Sequence, residues 1–120
     1  MNKGDVISIQ LSFTDLTGNK LRPAVVLIIS NNDLIVCFIT TQLQWKETTD
    51  IVLRPSAKIG IKKKSLFRLS KIATIDKYLA VGKLGVIQQN EMTELNMKLI
   101  FILQLVWNHI ICLFFWFTLF

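Results

Sequence analysis

At 120 residues the chain has room for one domain and one modest core, so any site must share its strands with the scaffold. Fourteen Lys and Arg stand against eight Asp and Glu, all within residues 1–98, and residues 99–120 carry no charge, which inflates the overall 52% hydrophobic content. The charged part is an ordinary basic domain; its net charge of +6 fits a polyanion-binding surface and a merely solvated Lys-rich one equally well, and residues 1–5 lack the apolar run of a cleavable signal peptide.

Ile7, Ile9, Leu11 and Phe13 alternate with Ser8, Gln10 and Ser12, a period that predicts a strand with one buried face. Residues 15–20 form a polar, Gly-containing connection. Pro23 opens an apolar run to Ile29, as a proline can at the first position of a strand. Residues 30–33 (Ser-Asn-Asn-Asp) are a turn cluster and residues 34–41 a returning strand rich in β-branched residues, so a central hairpin is predicted. A loop at 42–50, a short strand at 51–53 ended by Pro55, a basic connection at 60–64 and a strand at 65–75 follow. After a turn at Asp76 and Lys77 comes a short strand near 79–84. Asn90 is placed as a helix N-cap with Glu91 and Glu94 in the first turn, and Met92, Leu95, Leu99, Ile102, Leu103 and Val106 recur at helical spacing. Short strands with close turns and one late helix predict a mainly β small barrel over residues 1–106, with residues 107–120 as an apolar tail outside it.

Several kinds of chemistry have no residues to support them. The five glycines are scattered, so no phosphate loop is present, and the only histidine, His109, lies in the apolar tail. No His, Cys and carboxylate group has metal-ligand spacing, and no cofactor is expected. Cys37 and Cys112 lie far apart in apolar surroundings, which predicts buried, reduced thiols in a cytoplasmic protein. What remains is Arg22 at the mouth of one central strand with Thr40 and Thr41 at the end of its neighbour. All three lie eight to ten residues from the turn at 30–33, and so at the same open end of the hairpin. An Arg beside hydroxyls can bind a phosphate through paired hydrogen bonds and stabilise developing charge; an Arg that only ties a loop to a strand start has the same spacing.

At this point the sequence resembles a known family. Gly4-Asp5-Val6, Lys20-Leu21-Arg22-Pro23-Ala24-Val25-Val26-Leu27 and Phe38-Ile39-Thr40-Thr41-Gln42 look like successive motifs of MazF/PemK-type toxins of bacterial toxin–antitoxin pairs. Gly60-Ile61-Lys62-Lys63-Lys64-Ser65, the run from Lys71 to Lys77 and Lys83-Leu84-Gly85 continue the likeness, which covers about residues 3–105. The resemblance implies an SH3-like barrel, a homodimer, an acidic antitoxin that folds onto the basic groove, and metal-independent, sequence-specific cleavage of single-stranded RNA. The 2′-hydroxyl would attack the adjacent phosphate, leaving a 2′,3′-cyclic phosphate and a 5′-hydroxyl. It places the catalytic Arg at Arg22 and the catalytic Thr at Thr40, with Gln42 in support. Lys20, Thr41, Trp45 and Lys46, on segments flanking these residues, are the candidates for substrate contacts; Trp45 is as readily a packing residue, and Lys62, Lys63 and Lys64 read first as a solvated turn. The same barrel could instead grip a protein target such as DNA gyrase, or be a degenerate toxin.

Residues 99–120 are long enough to cross a bilayer as one helix. Their first half, however, belongs to the amphipathic helix that the barrel needs, so a core helix with an aberrant tail is the preferred reading and a membrane anchor the second.

Overall fold

Alternate residues of the central strands drop into two separate cores, which explains why those strands read as continuous apolar runs. The computed structural model describes residues 1–12 and 19–105. Strands β1 (Asp5–Ser12), β2 (Asn19–Ile29), β3 (Asp33–Thr40), β4 (Ile51–Leu53), β5 (Ser65–Asp76) and β6 (Ala80–Val86) form one sheet, and helix α1 (Gln89–Ile102) follows. The order is β4-β5-β3-β2-β1-β6, and every neighbouring pair is antiparallel. Val6, Val25, Leu27, Cys37, Ile39, Phe67 and Leu69 point to the first core, which Leu95 of α1 completes. Their neighbours Ile7, Ile9, Ala24, Val26, Leu34 and Val36 point to the second. β1 adds Val6 to the first core, but from Ile7 onward its apolar residues share the second core while Ser8 and Gln10 stay half-buried, as the alternation predicted.

The edge strands β4 and β6 are brought together by the segment between β4 and β5. Ser56 N–H donates to the Ile61 carbonyl, and Val86 N–H on β6 donates to the Lys58 carbonyl, both at 2.9 Å. This approach explains two glycines. Gly60 has φ of +80°, and a Cβ there would strike the backbone of Leu84; a Cβ at Gly85 would strike the backbone of Lys58 and Ile59.

Three sequence expectations shift. Pro23 lies inside β2, not at its start: residues 19–23 pair with β1 alone, and the ladder to β3 begins at Ala24 opposite Phe38. Over that stretch β2 is an edge, where a missing N–H is tolerated. Lys20 and Leu21 therefore sit on a strand, not in a loop. The helix begins one residue before Asn90, with Gln88 as an N-cap that makes no side-chain capping bond.

At its other end α1 stops sooner than the apolar spacing suggests. Gln104 adopts φ of 54°, its N–H donates to Phe101 O, and Leu105 N–H donates to Ile100 O. These paired bonds are a Schellman stop, with glutamine in the left-handed position where glycine is usual. Leu103 is consequently exposed, and a continuous helix over residues 99–120 is interrupted at Gln104. No helix among the described residues is long and apolar enough to cross a membrane. Val106, His109, Cys112 and the rest of the tail lie outside the described residues.

Candidate active site

The second core runs out at one end of the β2–β3 hairpin, and polar residues take over its rows. Arg22 continues the row of Ala24 and Val26, and Thr40 continues that of Val36 and Phe38. The β2–β3 ladder ends at the Ala24–Phe38 pair, and Arg22 and Thr40 each lie two residues beyond it, at the same end of the hairpin. At the other end the turn is closed by Ser30, whose N–H and hydroxyl both donate to the Asp33 carbonyl.

Arg22 and Thr40 line one groove of about 620 Å³. Lys20, Thr41, Gln42 and Trp45 line it too, so six of the seven residues singled out from the sequence are gathered there. Lys46 is not: it faces a different hollow, with Arg54, Lys64 and Lys98, because the one-turn 3-10 helix Leu43–Trp45 ends between Trp45 and Lys46. The groove also receives Ser8 from β1, Lys62 and Lys63 from the segment before β5, and Ser65 from its first position. Ser8 looked like an outward residue of an alternating strand, and the two lysines like a solvated turn. No local pattern signals their convergence, since it depends on the 56–61 segment packing against β6.

A second, smaller hollow of about 260 Å³ shares Arg22, Ile39, Thr40 and Trp45 with the groove. Its other walls are Leu11, Phe38, Arg68 and Lys71. Arg22 and Thr40 thus stand where two hollows meet, one carrying the cations Lys20, Lys62 and Lys63, the other with an apolar floor.

The loop after β3 holds the site's polar groups in set orientations. The Thr40 hydroxyl accepts the Gln42 backbone N–H at 3.1 Å, which pins its rotamer and leaves its own proton free to donate. The Gln42 side-chain carbonyl accepts the Gln44 amide at 2.7 Å, leaving the Gln42 amide group to face the groove. Farther along, Arg68 of β5 reaches Asp50 at 3.3 Å and Glu47 at 3.4 Å, and Lys98 of α1 donates to the carbonyls of Thr48 and Asp50. Two elements therefore staple the loop that carries Trp45, a residue that is 57% exposed. Beneath lies Cys37, buried and free; burial, and then the negative charge of Asp50, push its thiol pKa from 9.0 up to about 12. Among the described residues no three His, Cys, Asp or Glu side chains gather as metal ligands do.

A six-stranded antiparallel sheet followed by one helix matches the fold of the MazF/PemK toxins. Residues 2–103 match the model of PemK-like, MazF-like toxins of type II toxin–antitoxin systems, and the chain belongs to that family. A solved endoribonuclease in complex with its cognate antitoxin, from mycobacterial species, superposes with a TM-score of 0.71 over 90% of this chain and 99% of that one. The two share 18% sequence identity, so that likeness concerns the fold. No curated relative matches the sequence.

Proposed function

We propose that this protein is the toxin of a type II toxin–antitoxin pair and a metal-independent endoribonuclease acting on single-stranded RNA. The observation that supports this most is the meeting of Arg22 and Thr40 in one groove with Lys20, Lys62 and Lys63. A phosphodiester seated between Arg22 and Thr40 accepts two N–H bonds from the guanidinium, which offsets the charge that grows on the equatorial oxygens as the phosphorus becomes five-coordinate. The RNA 2′-hydroxyl attacks that phosphorus, the bond to the 5′-oxygen breaks, and a 2′,3′-cyclic phosphate and a 5′-hydroxyl result. One proton leaves the 2′-oxygen and one must reach the 5′-oxygen. Thr40 orients the nucleophile and relays its proton: the Gln42 amide occupies one lone pair of the hydroxyl, while the other lone pair and the O–H remain available. Arg22 donates toward the leaving oxygen.

Base contacts fall to the surrounding residues. Trp45 offers an exposed face for stacking, and Gln42, Thr41 and Lys20 offer groups for base edges and phosphates. A homodimer and an acidic antitoxin segment laid over the same basic groove complete the reading. The structural likeness to a toxin solved with its antitoxin supports the partner.

The test is cleavage of a single-stranded RNA substrate in EDTA by the wild type and by the Arg22→Ala and Thr40→Ala variants. Loss of about a hundred-fold or more in kcat for Arg22→Ala is expected, the usual effect of removing a donor to a developing oxyanion. Equal cleavage by all three proteins would remove the assignment.

A further inference from the structure

The hollow that holds Lys46 is a second charged feature, outside the groove. It has a volume of about 630 Å³, and four of its walls are the cations Lys46, Arg54, Lys64 and Lys98. Its acidic members are already engaged. Asp50, with a fully buried side chain, and Glu47 both meet Arg68, and Glu94 meets Lys98 at 3.9 Å. Among the described residues no carboxylate lies within 4.0 Å of Lys46, Arg54 or Lys64.

Two of these cations, Arg54 and Lys64, flank the Leu53–Ser65 pair that ends the β4–β5 ladder, and both are exposed on the wall of the hollow. The hollow also adjoins the groove along the chain: Trp45 faces the groove and Lys46 the hollow, Lys63 the groove and Lys64 the hollow. At two points, Trp45–Lys46 and Lys63–Lys64, adjacent residues of the chain thus line the groove and the hollow in turn.

We propose that this second hollow is a phosphodiester-binding extension of the substrate groove, carrying the single-stranded RNA away from Arg22 and Thr40. The inference rests on the nuclease reading above. It assigns to Lys46, Arg54 and Lys64 contacts with phosphates several nucleotides from the cleaved bond. Such contacts add affinity and salt dependence without reading sequence.

The experiment compares binding of non-cleavable, mixed-sequence 2′-O-methyl RNA of 4 and of 14 nucleotides by the wild type and the Lys46→Gln/Arg54→Gln/Lys64→Gln variant, over a range of salt. Expected is a weakening of about ten-fold or more for the 14-mer, with the slope of log affinity against log salt reduced by about 2, from three contacts at roughly 0.7 each on single strands. Affinity for the 4-mer and cleavage of a short substrate stay unchanged. Equal affinity of both proteins for the 14-mer overturns the extension while leaving the nuclease reading intact, and so does equal weakening for both lengths. Weakened binding of a polyglutamate peptide with RNA binding unchanged also overturns it, assigning the hollow to an acidic protein. Failure of the wild type to bind or cleave RNA of any length sinks both readings together.

Discussion

At the scale of single residues, the proposed chemistry depends on the shape of Arg22 as much as on its charge. Lysine keeps the charge but not the planar fork that meets two phosphate oxygens at once. Arg22→Lys should therefore lose about a hundred-fold in kcat with KM changed little, a split visible in steady-state cleavage of a fluorogenic RNA. Thr40→Ser keeps the hydroxyl that accepts the Gln42 amide and should retain most activity, whereas Thr40→Val should not. On the proposed reading Trp45 serves the substrate and not the fold, in keeping with its exposure. Trp45→Ala is expected to raise KM about ten-fold or more, the typical worth of one stacked base, while Trp45→Phe stays within about three-fold. Melting temperatures of the two should match the wild type.

The buried thiol yields a prediction with a definite sign. Folding raises the Cys37 pKa from 9.0 to about 12, so between those values the native state holds a proton that the unfolded chain has lost. The contribution to stability is complete below about pH 9 and is lost as pH rises toward 12. Cys37→Ala should flatten the fall in stability over that window in urea titrations. In the native wild type, the peptide containing Cys37 should remain unalkylated by iodoacetamide at pH 8.

At the scale of elements, two joints are open to measurement. Arg68 is 11% exposed and its partner Asp50 is fully buried. Asp50→Ala leaves a nearly buried guanidinium without that partner and should cost roughly 3–5 kcal/mol in urea unfolding. The pair Asp50→Val with Arg68→Met should recover much of it, because no uncompensated charge then remains. At the end of α1, Gln104 holds a left-handed conformation that costs a side-chain-bearing residue about 1 kcal/mol, so Gln104→Gly should stabilise by about that amount. An α1 that ran on through Gln104 would instead be weakened by the glycine.

At the scale of the whole molecule, the described core closes with Leu95, Leu99 and Ile102, and the helix stop follows at once. Removal of residues 106–120 should leave the melting temperature and the far-ultraviolet circular dichroism of the barrel unchanged while raising solubility.

Strands, turn and helix were legible from the sequence because period-2 and helical spacing are local signals. The β2–β3 hairpin is the plainest case, since its turn residues and β-branched strands sit side by side in the chain. That Arg22 lies at the same open end as Thr40 and Thr41 was legible too, because all three stand at similar distances from a short turn; the register shift between Val26 and Ile28 was not. Pro23 misled, as an interior proline is acceptable only where the neighbouring strand has already departed, and pairing partners leave no trace in one strand's residues. The helix end misled as well: apolar spacing continues through Leu103 and Val106, and nothing local marks Gln104 as a stop.

Composition and periodicity by themselves determined a basic, mainly β domain ending in a helix, with an Arg and two Thr at one end of its central hairpin. Those properties are written in neighbouring residues. Tertiary structure alone decided that Ser8, Lys62 and Lys63 join that end, that Lys46 turns away from it, and that Arg54 and Lys64 line a second hollow with Lys46. Each of these depends on strands far apart in sequence coming into register, a long-range packing outcome that no window of the chain contains.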